Sequence, residues 1–133
     1  MIILDVLDEI TAALAGTGVS VPNAFGEIPV QPPVALLHLP PVVFDTGGRG
    51  FDRLPDVAIA VLIGDPTDPA TYRTAATYAD GVGPTSVKQA VQAYPYAACS
   101  TVRIVKADPV VATLQGVSLL GWMFHADVTG TRG

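Results

Sequence analysis

Apolar residues at Ile3, Val6, Leu7, Ile10, Ala13 and Leu14 recur at three- and four-residue spacing and predict an amphipathic helix at the start of the chain. Asp5, Asp8 and Glu9 fall mostly off that stripe, near the helix N-terminus, where the dipole favours negative charge. They read as a solvated face. Gly16 and Gly18 end the helix. The period then changes. A short strand is expected near residues 19–21, a Pro- and Gly-punctuated loop runs to Pro33, and residues 34–39 read as a strand. Pro40-Pro41 cannot donate ladder hydrogen bonds and marks an edge or bend. Residues 42–45 resume extended structure. Residues 46–53 form a Gly-rich tip, and the continuously apolar stretch 57–63 fits a central strand covered on both faces. These segments make a long β-hairpin.

Asp68 followed by Pro69 is a helix start, with the carboxylate as N-cap and proline at the first helical position. The helix over residues 70–79 is expected to bury Tyr72, Ala75, Ala76 and Ala79, with Tyr78 at the flank. A second short helix starts from Thr85 or Ser86 and carries Val87, Ala90, Val91 and Tyr94 on its apolar side. Residues 101–106 alternate as a strand. Asp108-Pro109 is expected to break the chain. Residues 110–114 and 117–127 flank a tight Gln115-Gly116 turn, and the last β segments merge if the break is not made. The order α-β-β-β-α-α-β-β-β, without repeat or linker, predicts one α+β domain over residues 1–133. It has an antiparallel or mixed sheet, with the N-terminal helix and two central helices mainly on one face.

Composition changes this picture at one point. Of 133 residues, 14% are charged and 50% are hydrophobic, against about 25% charged in an average soluble domain. Part of so poorly charged a surface is expected to be covered by neighbours. Membrane insertion is the rival explanation, and it fails. The charge-poor stretches at 11–26, 28–44 and 109–124 are each interrupted by proline, glycine or polar residues, short of the roughly 20 apolar residues of a spanning helix. No leader is visible, so the chain is expected to be made in the cytoplasm. Seven Lys and Arg against twelve Asp and Glu give a net charge of −5, which argues against holding polyanions by bulk charge.

Candidate chemistry is sparse. Gly47-Gly48-Arg49-Gly50 lacks the Lys-Ser/Thr of a nucleotide loop and no helix follows it. His38 and His125 lie in apolar strands without ligand spacing and read as core or interface residues, so no metal is expected. Cys99 reads as a small buried residue. No nucleophile elbow is present, and neither a cofactor nor catalysis is expected. Arg49, Phe51 and Arg53 on the tip, with Asp45 at its base, instead suit an interface. Asp65 and Asp68 read first as turn and capping residues, and their loop is a second candidate contact.

Several stretches together resemble a known family. They are Met1-Ile2-Ile3-Leu4-Asp5-Val6-Leu7, Pro32-Pro33-Val34-Ala35, Gly47-Gly48-Arg49-Gly50-Phe51-Asp52-Arg53-Leu54, Val61-Leu62-Ile63-Gly64, Tyr78-Ala79-Asp80-Gly81 and Ser86-Val87-Lys88-Gln89-Ala90. In order and texture, over nearly the full length, the chain resembles the small tail terminator proteins that join head and tail in long-tailed phages of actinobacteria. The resemblance implies a non-enzymatic virion protein of the tail or neck. Its copies would form a six-fold ring that caps the tail tube protein, stops polymerisation and meets the head-completion or stopper protein. DNA would pass through the ring without sequence-specific binding. Under this expectation Asp45, Arg49, Phe51, Arg53, Asp65 and Asp68 contact neighbouring subunits, tube or head proteins. A head–tail adaptor or stopper shares most of these features. A small cytosolic enzyme or ligand-binding domain is the remaining alternative and predicts a deep pocket with convergent polar groups.

Overall fold

The computed structural model describes residues 2–21, 32–46, 51–114 and 116–130. Helix α1 (Ile3–Ala15) buries Val6, Leu7, Ile10, Ala13 and Leu14, the stripe its spacing predicts. It ends as expected, with Gly18 at φ +88°. The Thr17 hydroxyl donates to the Leu14 carbonyl at 2.7 Å and satisfies one of the orphan acceptors of the last turn.

Strands β1 (Val34–Leu37), β2 (Val43–Thr46), β3 (Phe51–Gly64), β4 (Thr101–Leu114) and β5 (Val117–Thr129) form one antiparallel sheet. Its order is β1-β3-β5-β4, with β2 paired to the far end of β3. The continuously apolar part of β3 lies between β1 and β5, as expected of a central strand, and Val57, Ile59, Val61 and Leu62 are fully buried. The strand also starts earlier than its apolar run, at the hairpin itself. The expected strand near residues 19–21 is reduced to one parallel bridge, Ser20 to Val34.

Helices α2 (Pro69–Ala79) and α3 (Val87–Ala93) join α1 over one face of the sheet. The main core lies between these layers. It contains Ile10 and Leu14 from α1, Tyr78 from α2, Val91 from α3, and Ile59 and Phe124 from the sheet. Asp68 caps α2 by accepting from the Ala70 N–H at 2.9 Å, with Pro69 inside the first turn. Ser86 caps α3 by accepting from the Gln89 N–H and also donates to the Asp80 carbonyl.

Two expectations are corrected. Helix α2 buries Thr71, Ala75 and Tyr78, while Tyr72 and Ala76 are exposed. Alanine contributes little to an apolar stripe, so tertiary contacts set the rotation. The Trp122 indole N–H donates to the Ala75 carbonyl at 2.8 Å, and Thr71 packs over Gly64. The second correction concerns Asp108-Pro109, which does not break the chain. β4 passes through it in unbroken register, with Pro109 opposite Trp122. Among the described residues β4 pairs only with β5, so a proline whose nitrogen faces the other side removes no ladder bond.

The far end of the β4–β5 hairpin bends at Gly121. A β-carbon there would lie 1.9 Å from the Val61 carbonyl oxygen and 2.8 Å from the Leu62 α-carbon. Only glycine allows this approach, and the register of β3 against β5 shifts beside it. Past the bend, Leu119 joins Val34 and Leu62 in a second small core on the face without helices. Leu36, Val110, Ala112 and Leu114 are packed against it.

Candidate functional site

The six residues singled out from sequence are placed in different settings. Asp45 lies in β2 and Phe51 opens β3, paired with Thr46. Arg49 and the Gly47–Gly50 part of the tip lie outside the described residues. Arg53 is on β3, and its guanidinium grips Asp127 of β5 in a bidentate pair, Nε to Oδ1 at 2.9 Å and Nη2 to Oδ2 at 2.8 Å. That contact ties the base of the hairpin arm to the sheet. The Arg53 hydrogen bond first, then the attraction of Arg53 and Arg103, hold the Asp127 carboxyl below its ordinary pKa against the opposing effect of burial. Asp65 closes the turn after β3, accepting from the Thr67 N–H and hydroxyl, both at 2.8 Å. These two bonds also lower its pKa. The structure thus gives Asp65 and Asp68 local turn and capping bonds, and it brings neither to the arm.

The run leading into the arm is apolar. Leu39, Val43 and Phe44 are all exposed, Phe44 at 71%. They precede the hairpin tip in one stretch, residues 28–44, that carries no charge. Neither periodicity nor motif singles them out. Their signal is burial that does not happen: β2 has β3 as its only strand partner among the described residues, and Val43 and Phe44 are left exposed.

A second cluster lies on the helix-free face and could not be read from spacing. His125 of β5 stands between two carboxylates, with Nδ1 at 2.6 Å from Oδ1 of Asp56 and Nε2 at 3.1 Å from Oδ2 of Asp108. Lys106 adds an ion pair to Asp108 at 3.2 Å. That bond, with further attraction from His125, keeps the Asp108 carboxyl below its usual range. The cluster laces β3, β5 and β4 together. Both imidazole nitrogens face carboxylates. His38, by contrast, is exposed just past β1.

Glu9 is also more than a solvated residue. Its carboxylate accepts from the Ala97 N–H at 2.8 Å and the Ala98 N–H at 2.6 Å, pinning α1 to the loop before β4. Asp5, Asp8 and Glu9 line a shallow open groove with those two alanines. Cys99, next to this loop, is buried as expected. Burial first, and then Glu9, push its thiol up to about 11, which leaves it protonated and unreactive at neutral pH. Among the described residues, no group of three or more His, Cys, Asp or Glu side chains is arranged to hold a metal ion, and no buried side-chain nitrogen or oxygen lacks a partner.

No protein-family model, no curated protein and no solved structure matches the chain.

Proposed function

We propose that the chain is a structural, non-enzymatic virion protein, a tail terminator. In this reading its copies form a ring that caps the tail tube and meets the head-completion proteins, with DNA passing through the channel. The observation that carries it is the exposed, uncharged strip Leu39, Val43 and Phe44 leading into the hairpin arm. Exposed apolar groups of this kind belong to contact surfaces. Two further features support the reading. The chain is poor in charge. Its net negative charge lets DNA slide rather than stick. The six-fold symmetry and the partners come from the family resemblance.

The test is electron microscopy of tail tubes assembled with and without the protein. Tubes of uniform length carrying a ring at one end are expected, and the ring should be absent when the protein is omitted. A ring seated elsewhere in the neck would assign the chain to the adaptor or stopper class. Tubes that grow unchecked and carry no added ring would overturn the proposal.

A further inference from the structure

The carboxylates reach His125 because the strands on either side of β5 change register beside it. In β4, Val102 and Ile104 are buried in the core beneath the helices. Strict alternation would send Lys106 and Asp108 into that same core. The shift between Ile104 and Lys106 inserts Val105 as an extra residue. Lys106 and Asp108 then pair with His125 and Met123 on the helix-free face. In β3, the step from the Leu54–Val128 pair to the Val57–Ala126 pair sets Pro55 and Asp56 against Asp127 alone. Leu54 and Val57 both belong to the core, and Asp56 points away from it to His125. Bulges re-aim side chains. Here a bulge on each neighbour of β5 brings charged groups around one imidazole.

Donor counting sets the chemistry. Nδ1 lies 2.6 Å from Oδ1 of Asp56, and Nε2 lies 3.1 Å from Oδ2 of Asp108. An ionised carboxylate only accepts, a neutral imidazole has one N–H, and the imidazolium has two. Both contacts are hydrogen bonds at once only when the ring carries two protons. The charges agree. Asp56 and Asp108 face a single lysine, Lys106, and the imidazolium matches the charge left over. The next charges along this face are already engaged, because Arg53 holds Asp127 and Arg103 stands opposite it. The two carboxylates are not equivalent. Asp108 also has Lys106 at 3.2 Å, whereas Asp56 has His125 as its only ion-pair partner among the described residues.

We infer that His125 is a proton-operated clasp: as the imidazolium it joins β3 to β4 across β5, and as the neutral ring it keeps Asp56 and releases Asp108. The proton that stays is the one on Nδ1, which makes the shorter contact to the carboxylate without a second partner. Nε2 then meets Asp108 lone pair to lone pair, and Asp108 is left to Lys106. The clasp's contribution to stability is present while the ring holds both protons and is lost as pH rises through the histidine range. Acid therefore tightens the sheet at the level of its two register shifts. The inference is independent of the terminator reading.

Nitrogen NMR of the imidazole rings tests it on the wild-type protein. Once neutral, His125 should be the Nδ1–H tautomer, the opposite of the Nε2–H form that a free histidine favours. The exposed His38 should show the free form, and His38→Gln assigns the signals. A neutral His125 in the Nε2–H form overturns the inference. Urea unfolding gives the second readout. Asp108→Asn offers an oxygen to the charged ring and an N–H to the neutral one. The wild-type midpoint should therefore fall further than that of Asp108→Asn between about pH 5 and about pH 8. The variant lacks the Lys106 ion pair at both ends of that range, so the change with pH is read and not the offset. An equal change in the two proteins overturns the inference. If Asp108→Asn does not fold, the tautomer of the wild-type ring decides.

Discussion

Arg53 shows how one residue is claimed by its fold before any partner reaches it. An arginine on a Gly-rich tip reads as an interface residue, because a guanidinium suits bidentate recognition. The structure finds the carboxylate within the same chain, on Asp127, 74 residues away. Arg49, its companion in the sequence reading, is the tip arginine that this contact leaves unassigned. The pair has a pH signature. Asp127 titrates below its unfolded value, which is near 3.9 for an aspartate, so the native state binds its proton less tightly than the unfolded chain. The stability this contributes is present above the unfolded pKa and is lost as pH falls through the folded one. Urea unfolding of wild type and Asp127→Asn should therefore show a gap at pH 7 that narrows as the pH drops through the acidic carboxylate range. A gap constant with pH would mean that the pair contributes packing alone.

Among the elements, the hairpin of β4 and β5 carries the sharpest constraint. Its bend places Gly121 against the backbone of β3 so closely that the Val61 carbonyl lies where a β-carbon would be. Gly121→Ala must move one strand, and with it the small core of Val34, Leu62 and Leu119. A loss of about 3 kcal/mol or more is expected in urea unfolding. Gly81→Ala is the control: nothing lies within 4 Å of its added methyl, and it should unfold like wild type. Equal behaviour of the two variants would show that the strands separate freely at the bend. Elements whose signals are local were legible in the sequence. The α1 stripe, the Asp68-Pro69 start and the turn at Gly116 all depend on residues within a turn or two of each other. What the sequence hid depends on register. Whether Pro109 breaks a strand is decided by which side of β4 has a neighbour. Whether Thr71 or Tyr72 faces inward is decided by Gly64 and Trp122. The carboxylates around His125 come from two other strands, and no spacing announces them. The α+β class was readable because it follows from the order of elements, whereas the contact surface is defined by what the folded sheet leaves uncovered.

For the whole molecule, the distribution of exposed apolar residues matters more than their number. Among the described residues Val82 is the most exposed of them at 75%, yet it sits alone between α2 and α3, away from any strand edge. Single exposed apolar side chains are normal and need no partner. Phe44 is exposed to a similar degree, but it lies in strand β2, with Val43 and Leu39 close by in the chain. If low charge density merely made the surface sticky, the two positions would be equivalent. Under the assembly reading they differ, because a neighbouring copy covers only one of them. Phe44→Ser should therefore lower association at least tenfold in light scattering or sedimentation, which corresponds to about 1.4 kcal/mol or more. Val82→Ser should leave association unchanged, and both should unfold at the wild-type temperature, since neither side chain is buried in the monomer. Equal losses from both variants would make the uncharged surface a source of unspecific adhesion. A selective loss at Phe44 would locate it on the arm.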